Sequence, residues 1–331
     1  MYESFYHLSK KPFQLSPDSR FFYNSAGHNR AMAYLRYGLR QGEGFIVITG
    51  GIGTGKSMLV ANLFAELSST EIVAAQLVST QIGEDDLLRM ISASFGLAHE
   101  DLSKTELLQG LESFFRARHA EGKRVLLVVD EAQNLPRRSI EELRMLSNYQ
   151  EDGQALLQSF LIGQVELKKT LQGSSMEQVR QRIIAGYHLL PLDRESLQSY
   201  IEHRLSLVGW NDNPHIHSEA YDQIFSASGG VPRRVNTLVD RILLFGALEE
   251  LNSISADHVK TVVDEIALEV GYSSSSPDED KEITDSLPQG NLLERIRVLE
   301  SDLSSLKKSI KKDRHLIRRA AELIKEIDPN E

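Results

Sequence analysis

The stretch FIVITGGIGTGKSMLVANLF, residues 45–64, runs from an apolar strand pattern through four glycines into an apolar helix pattern. Glycine adopts backbone conformations that other residues resist, so the N–H groups of such a turn can converge on a pyrophosphate. The helix that follows adds the positive end of its dipole. Gly50-x-x-x-x-Gly55-Lys56-Ser57 therefore matches the Walker A phosphate-binding pattern between a strand and a helix, rather than a merely structural glycine-rich turn.

Each position of this motif has an expected role. The ammonium of Lys56 should reach the β- and γ-phosphates of a nucleoside triphosphate, and the hydroxyl of Ser57 should bind Mg²⁺. The residues predicted to bind ATP are Gly50, Gly51, Ile52, Gly53, Thr54, Gly55, Lys56, Ser57, Met58 and, from another strand, Asp130.

A second motif, VLLVVDEAQN at 125–134, is an apolar strand that ends in two carboxylates, as in the Walker B pattern. Asp130 is expected to hold Mg²⁺ together with Ser57. Glu131 is expected to polarise the attacking water; the alternative is a solvated residue that happens to follow a strand. Nucleoside kinases share the Walker A pattern, but many lack a glutamate directly after the aspartate. The pair therefore favours an ATP hydrolase.

Composition narrows the class of protein. The chain has 331 residues, 41% of them hydrophobic, with a formal charge of −10 and no cysteine. This length favours two modules with a real core, and the missing cysteines exclude disulfides and fit a reducing compartment. The negative charge argues against a protein that coats nucleic acid along its whole surface. Without a signal-peptide pattern or an apolar run of about 18 residues, we expect a cytoplasmic protein with no membrane span.

Residues 1–190 alternate apolar, strand-like runs with helical periods. The five predicted strands are FIVIT (45–49), IVAAQLV (72–78), VLLVVD (125–130), ALLQSFLIG (155–163) and YHLLP (187–191). Near-continuous apolar strands separated by helices indicate a parallel sheet covered on both faces. We therefore predict an α/β P-loop NTPase core of three αβα layers, preceded by a segment before the Walker A motif.

Three further zones follow the core. Residues 191–270 show no strand signal and predict a helical domain, the first helix of which is capped by Asp193. Residues 271–290 are rich in Ser, Asp, Glu and Pro and predict a flexible linker. Residues 291–331 repeat apolar residues in alternating steps of four and three, over about five heptads, which predicts a coiled-coil tail.

With both nucleotide motifs in place, the chain resembles the AAA+ ATPases of the general secretion pathway protein A family. Within that family it is most similar to the ATPases associated with the exosortase A (PEP-CTERM) and exopolysaccharide system. The resemblance covers residues 1 to about 270, so a helical lid is expected over the nucleotide. Its segments are MYESFYHLSKKPFQLSPDSRFFYNSAGHNRAMAYLRYGL, VVDEAQNL, EELRMLSNYQ, FLIGQVEL, RQRI and GGVPRRVNTLVDRILLFG.

The resemblance implies two further residues at the γ-phosphate. Gln164, in LIGQ, stands at the sensor 1 position, although a structural strand cap is the alternative. The family often has proline after this glutamine, and Val165 replaces it here. Arg233, in GGVPRR, stands at the sensor 2 position in the first turn of a lid helix, and an ordinary surface arginine is its alternative.

The segment VRQRIIAGYHLLPL resembles the part of clamp loaders that carries an arginine finger, a residue that acts on the nucleotide of a neighbouring subunit. Arg182 is the better match and Arg180 the second choice; an interface salt bridge is the alternative. A finger in trans implies a homo-oligomer, either a ring or a helical assembly.

Aromatic residues are frequent between residues 5 and 38. Segments before the Walker A motif wrap the adenine in AAA+ folds, so part of this stretch is expected there. For any single ring, packing in the core is the more common role.

The combined prediction is an ATPase that uses ATP and Mg²⁺ and serves as a motor or switch in exopolysaccharide production or envelope export. Its expected partners are copies of itself, a helix that pairs with the coiled coil, and secretion machinery at the inner membrane. Two alternatives stay open. One is a DNA-associated ATPase resembling transposition regulators, and the other is a nucleotide-gated scaffold with little turnover.

Overall fold

The computed structural model describes residues 2–14, 19–67, 71–78 and 86–270. The predicted linker (271–290) and coiled coil (291–331) lie outside these residues and stay predictions. Among the described residues, no helix is both long and apolar enough to span a membrane.

Helices and strands alternate through the first part of the described chain, and helices dominate the second. The helices are α1 (Tyr2–Phe5), α2 (Ala26–Gln41), α3 (Lys56–Glu66), α4 (Leu87–Ser94), α5 (Lys104–Ala120), α6 (Arg137–Leu146), α7 (Val165–Gln172), α8 (Glu177–Arg180), α9 (Arg194–Ser206), α10 (Ser218–Ser228), α11 (Pro232–Leu248) and α12 (Ala256–Val270). The strands are β1 (Phe45–Gly50), β2 (Ile72–Val78), β3 (Arg124–Asp130), β4 (Gln150–Glu151), β5 (Gln154–Ala155), β6 (Leu157–Gly163), β7 (Ile183–Leu189), β8 (His215–Ile216) and β9 (Ser253–Ile254).

Five of these strands form the central sheet, in the order β2-β3-β6-β1-β7, with every neighbouring pair parallel. The strand that leads into the Walker A motif, β1, lies between β6 and β7. The carboxyl ends of parallel strands meet at one edge of the sheet, which is where ligands bind in open α/β folds. The predicted parallel αβα core is confirmed.

Alternate residues of the strands pack on opposite faces of the sheet. In β1, Phe45 and Val47 join an apolar cluster with α4 to α8, whereas Ile46 and Ile48 join a second cluster with α2 and α3. All four side chains are buried. Burial of one such side chain stabilises the fold by about 2 kcal/mol. A strand that is covered on both faces therefore needs apolar residues at consecutive positions, as β1 has.

A third apolar cluster lies in the helical part of the chain and is built from α9 to α12. The side chain of Asp193 accepts a hydrogen bond from the amide of Ser196 at 2.7 Å, which confirms the predicted cap of α9. Pro232 occupies the first turn of α11, where its missing N–H costs nothing.

The N-terminal residues pack on the helical part, although the sequence groups them with the core. The rings of Tyr2, Tyr6 and Phe13 belong to the helical cluster. The backbone also joins these two segments, since the amide of Ser9 donates to the carbonyl of Val208 at 2.9 Å. The domain boundaries themselves stay predictions.

Two predicted strands, and the predicted lack of strands in the helical domain, need correction. The last strand of the sheet covers Ile183–Leu189 instead of 187–191, because it pairs along the whole length of β1, from Phe45↔Ile183 to Gly50↔Leu189. The segment predicted at 155–163 is divided, since Ala155 belongs to the short hairpin β4–β5 and β6 begins at Leu157. The helical domain also contains a two-residue parallel pair, β8 with β9.

Candidate functional site

The Walker A segment forms the turn between β1 and α3. Gly55 is the N-cap of α3 with φ +100°, a conformation that side chains rarely adopt. A Cβ on Gly55 would stand 2.5 Å from Nε2 of His28. His28 is buried, its Nδ1 lies 2.7 Å from the hydroxyl of Ser25, and burial lowers its pKa. The turn is therefore packed against α2, and this position accepts only glycine.

Lys56 lies inside the cradle that the turn forms. Its ammonium donates to the carbonyl of Gly50 at 3.0 Å and to that of Gly51 at 2.9 Å. Only 6% of the residue is exposed, and burial lowers the pKa of the ammonium against the opposing charges of Glu131 and Asp130. The cradle thus holds one cation that backbone carbonyls satisfy only in part, which favours an anionic ligand.

The remaining residues of the motif close the turn or line the cleft. The hydroxyl of Thr54 donates to the carbonyl of Gly51 at 2.9 Å and closes the turn. Other members of the predicted set face an open cleft of about 370 Å³: Ile52, Gly53, Gly55, Lys56, Ser57 and Met58.

The two motifs meet at the edge of the sheet. Oγ of Ser57 lies 3.4 Å from Oδ2 of Asp130, at the end of β3. Asp130 is 4% exposed, and burial raises the pKa of its carboxyl, although the amide of Glu131 opposes this shift by donating to Oδ1 at 2.9 Å. A hydroxyl and a carboxylate so close together are oxygen donors of the kind that Mg²⁺ prefers.

Glu131 lies beside them with an unusual backbone, in the left-handed region at φ +52°. Its Oε2 accepts hydrogen bonds from Nε2 of Gln133 at 2.6 Å and from Nε2 of Gln164 at 3.3 Å. Both Glu131 and Gln164 line the cleft. The structure therefore brings together the two side chains that the sequence predicted on separate strands, and it adds Gln133.

The helical domain closes the other side of the cleft. Arg233, at the start of α11, donates its amide to the carbonyl of Gly53 at 3.2 Å, and its exposed side chain lines the cleft. The hydroxyl of Tyr200 donates to Oδ1 of Asn236 at 2.6 Å, and burial raises the pKa of this phenol. The sequence predicted Arg233 at this site but not Tyr200 or Asn236.

Arg204, four residues after Tyr200, is a buried cation on the same side of the cleft, with 6% exposed. Its Nε donates to the carbonyl of Pro12 at 2.8 Å and its NH1 to the hydroxyl of Tyr200 at 2.9 Å. The guanidinium lies over the rings of Phe13, Phe21 and Tyr200, at 4.8 to 5.7 Å from their centroids. In the described part of the chain no carboxylate pairs with it.

A sequence signal could have found Arg204. Leu197, Ile201 and Leu205 form the buried stripe of α9, and Arg204 lies directly beside this stripe, where a charge is unexpected. A charged residue on an apolar stripe indicates either a paired ion or a functional site.

The aromatic residues before the Walker A motif divide between two roles. Phe21, Phe22 and Tyr23 line a small pocket that adjoins the cleft, together with His28 and Met58. Phe21 and Tyr23 also belong to the helical cluster, as do the rings nearer the N-terminus. The stretch thus supplies both core packing and a wall beside the cleft.

Both arginine-finger candidates lie away from this cleft and bond to backbone. NH1 of Arg182 donates to the carbonyl of Ser147 at 3.0 Å, at the end of α6. NH1 of Arg180 donates to the carbonyls of Leu171 and Gly173 at 2.8 and 2.6 Å, at the end of α7. In this chain, each guanidinium therefore caps the carboxyl end of a helix.

Comparison with known proteins agrees with this architecture. Residues 39–171 match the family model described as an AAA domain. General secretion pathway protein A of Aeromonas hydrophila is 39% identical over 245 residues, which are 74% of this chain. The chain covers 44% of that relative's length, so it spans less than half of the relative.

Solved structures share the fold at low sequence identity. The ORC2 protein of Aeropyrum pernix, in its ADPNP-ADP complexes, has a TM-score of 0.57 and 18% identity over 76% of this chain and 72% of that chain. Cdc6p of Pyrobaculum aerophilum has a TM-score of 0.57 and 15% identity over 76% and 71%. At these identities the likeness establishes the fold alone.

Proposed function

Because the chain belongs to the AAA+ family of P-loop NTPases and is similar to general secretion pathway protein A, we propose that it hydrolyses ATP to ADP and phosphate in an oligomeric assembly. One observation carries this proposal. A single cleft is lined by the cation of Lys56, the carboxylate of Glu131 and the lid arginine Arg233, and Ser57 in the same cleft lies 3.4 Å from Asp130.

Ser57 and Asp130 fit the metal that such a reaction requires. Their oxygens lie 3.4 Å apart beside the cradle, and they would hold Mg²⁺ there. When bound, Mg²⁺ neutralises charge on the β- and γ-phosphate oxygens.

The residues of the cleft divide the chemistry of hydrolysis between them. Glu131 orients a water molecule and accepts its proton while the water oxygen bonds to the γ-phosphorus. The bond from phosphorus to the bridging oxygen breaks, and ADP leaves with the electron pair. Lys56 and Arg233 stabilise the negative charge that develops, and Gln164, beside Glu131, donates to the γ-phosphate.

The substitution Glu131→Gln tests this assignment. The variant should bind ATP with an affinity within about threefold of the wild type but release phosphate at least about 100-fold more slowly, because an amide cannot accept the proton. Binding is measured with a fluorescent ATP analogue and turnover by phosphate release. Glu219→Gln, on the exposed face of α10, is the matched control. Wild-type turnover by the Glu131 variant would refute the role of this residue.

We extend the proposal to the assembly, in which Arg182 leaves its bond to Ser147 and reaches the nucleotide of a neighbour. Arg182→Ala and Glu131→Gln should each be inactive alone. Mixed together they should regain part of the activity, because the intact arginine of one variant can serve the intact glutamate of the other. Arg180→Ala is the parallel test of the second choice. If no mixture regains activity, catalysis does not use an arginine supplied in trans.

The biological role proposed is that of a motor or switch for exopolysaccharide or envelope export at the cytoplasmic side of the inner membrane. Identity to general secretion pathway protein A supports it. A strain that carries only the Glu131→Gln chain should lose export of the polymer or protein concerned. Normal export in that strain, with salt-sensitive binding of the purified chain to duplex DNA, would favour a DNA-associated role instead.

A further inference from the structure

Gln133 connects the two catalytic loops through its side-chain amide. Its Nε2 donates to Oε2 of Glu131 at 2.6 Å, and its Oε1 accepts from the backbone amide of Gln164 at 2.9 Å. One loop follows β3 and the other follows β6, so a single side chain bridges the ends of two neighbouring strands.

The orientation of this amide group follows from its partners. The backbone amide of Gln164 can only donate, so the oxygen of the Gln133 side chain must face it. The nitrogen must then face Glu131, where an ionised carboxylate can only accept. Each end of the amide group has one compatible partner, and a flipped amide would lose both bonds.

The contact with Gln133 holds one oxygen of Glu131 and leaves the other available. Both amide donors, from Gln133 and Gln164, bond to Oε2. No donor in the described part of the chain bonds to Oε1 of Glu131. A carboxylate anchored through one oxygen presents the other to a water molecule in a fixed direction.

The backbone around the bridge is shaped to admit it. Glu131 takes the left-handed conformation, which is uncommon for a residue with a side chain and occurs at sites where geometry matters for function. Gly163 precedes Gln164, and a Cβ on it would lie 2.7 Å from Oε1 of Gln133. The bridge thus depends on a residue without a side chain at the end of β6.

We propose that Gln133 is a positioning residue that fixes the Glu131 carboxylate for attack by water and ties it to the Gln164 loop. This inference rests on the proposed ATP hydrolysis. Because Gln133 holds the backbone of Gln164, a shift of that loop toward the γ-phosphate also moves Glu131. The base is then aligned when the terminal phosphate is present.

Two substitutions at Gln133 in the full chain test the bridge. Gln133→Met keeps the length of the side chain and loses both hydrogen bonds; Gln133→Glu keeps an acceptor for Gln164 but cannot donate to Glu131. Both should lower kcat by about 100-fold, the scale for a reacting group displaced by about 1 Å, with KM and ATP affinity within about threefold of the wild type. Gln223→Met, an exposed glutamine on α10, is the control.

A fall in kcat without a change in KM distinguishes a positioning role from a general structural role. Loss of folding would lower the melting temperature and the fraction of protein that binds ATP, and both are measured on the same samples. If Gln133→Met keeps kcat within threefold of the wild type, the inference is wrong. If ATP affinity falls in parallel with kcat, Gln133 acts on binding and the inference is again wrong.

Gly163→Ala provides an independent second variant. The added Cβ should displace Oε1 of Gln133 and lower kcat in the wild-type background. In a Gln133→Ala background the displaced atom is absent, and the contacts that remain, with the backbone nitrogen at position 133 and Cδ2 of Leu167, are longer at 3.2 Å, so the same change should cost at most about threefold in kcat. Such non-additivity is expected when two residues act through one contact. Fully additive effects would overturn the proposal.

The Glu131→Gln variant distinguishes a failure of the proposed function from a failure of the bridge. If it retains wild-type turnover, Glu131 is not the catalytic base, and the positioning role proposed for Gln133 is wrong as well. If it loses turnover while Gln133→Met does not, the proposed function stands and the bridge alone is refuted.

Discussion

The two walls of the cleft differ in how far apart in the chain their bonded residues lie. On the phosphate side, the ammonium of Lys56 bonds to carbonyls five and six residues away. On the lid side, Arg204 bonds to Pro12, which lies 192 residues away, and Tyr200 bonds to Asn236, 36 residues away. A local wall can form around a short motif, whereas the other wall exists only once distant segments have packed.

Because of this difference, we expect substitutions in the two walls to affect nucleotide affinity and stability differently. Changes on the phosphate side should alter nucleotide affinity and leave stability nearly unchanged, because the cation there stabilises a ligand more than the fold. A change at the buried lid-side residue Arg204 should alter both, because its bonds hold the N-terminal segment on the helical domain. Among the residues that the structure describes, the exposed lid residues Arg233 and Asp193 make no such bond, so each should alter only one of the two quantities. Four measurements test this contrast, in order of decreasing effect.

The largest effect is expected for Lys56→Ala. Loss of a charge-assisted contact to phosphate should weaken ATP binding by about 100-fold or more. The melting temperature without nucleotide should stay within about 2 °C, since the change removes a buried ammonium as well as two hydrogen bonds. Calorimetric binding and thermal unfolding measure the two quantities. A large fall in stability without nucleotide would remove the contrast between the walls.

Arg204→Met should lower both quantities. The variant loses two hydrogen bonds and the cation–π contacts, for about 2–3 kcal/mol in the free energy of unfolding. ADP affinity should fall by about tenfold, because the N-terminal segment no longer holds its place beside the cleft. Limited proteolysis of that segment should accelerate. Unchanged stability with normal ADP binding would show that the lid side of the cleft does not depend on the contact between Arg204 and the N-terminal segment.

Arg233→Ala should give a smaller and more selective effect. Because the side chain is exposed and belongs to the cleft, its loss should weaken ATP binding by about tenfold and leave stability unchanged. Arg234→Ala, the exposed neighbour that does not line the cleft, is the matched control. Equal effects of the two substitutions would contradict a specific role for Arg233.

The smallest effect is expected for Asp193→Ala, at the start of the lid. Loss of the cap should cost about 1 kcal/mol of stability without any change in nucleotide affinity, while Asp193→Asn should retain most of the stability. The amide of Ser196 lowers the pKa of this carboxyl. The contribution is therefore present above the unfolded pKa and disappears as the pH falls through the folded pKa. Urea unfolding at neutral and acidic pH measures it.

The sequence predicted the core well because its signals are local. The apolar runs of β1 and β3 and the motifs at their ends need no knowledge of distant residues, and the structure joins Ser57 to Asp130 as parallel strands require. The limits of β7 were missed, because a strand at the edge of a sheet takes its length from the partner with which it pairs. Exposed and half-buried residues carry too weak a pattern to show this.

On the lid side of the cleft, local sequence patterns predict fewer of the site residues. Arg233 was predicted from a family motif, and Arg204 stands out as a charge beside the apolar stripe of α9. Tyr200 and Asn236 belong to no short sequence pattern. Their role depends on the packing of α9 against α11 and on the return of the N-terminal segment to the helical domain. Gln133 belongs to the Walker B segment VLLVVDEAQN, but its role could not be predicted, because its two partners follow different strands.

By itself the sequence determined the parallel αβα core, the glycine-rich turn around Lys56 and the carboxylate pair, because hydrophobic period and glycine conformation act over a few residues. Only the tertiary structure decided which side chains complete the cleft and how Gln133 ties Glu131 to Gln164. Hydrogen bonds and buried charges are satisfied by whichever groups the packed chain brings near, and those groups lie up to 192 residues apart along it.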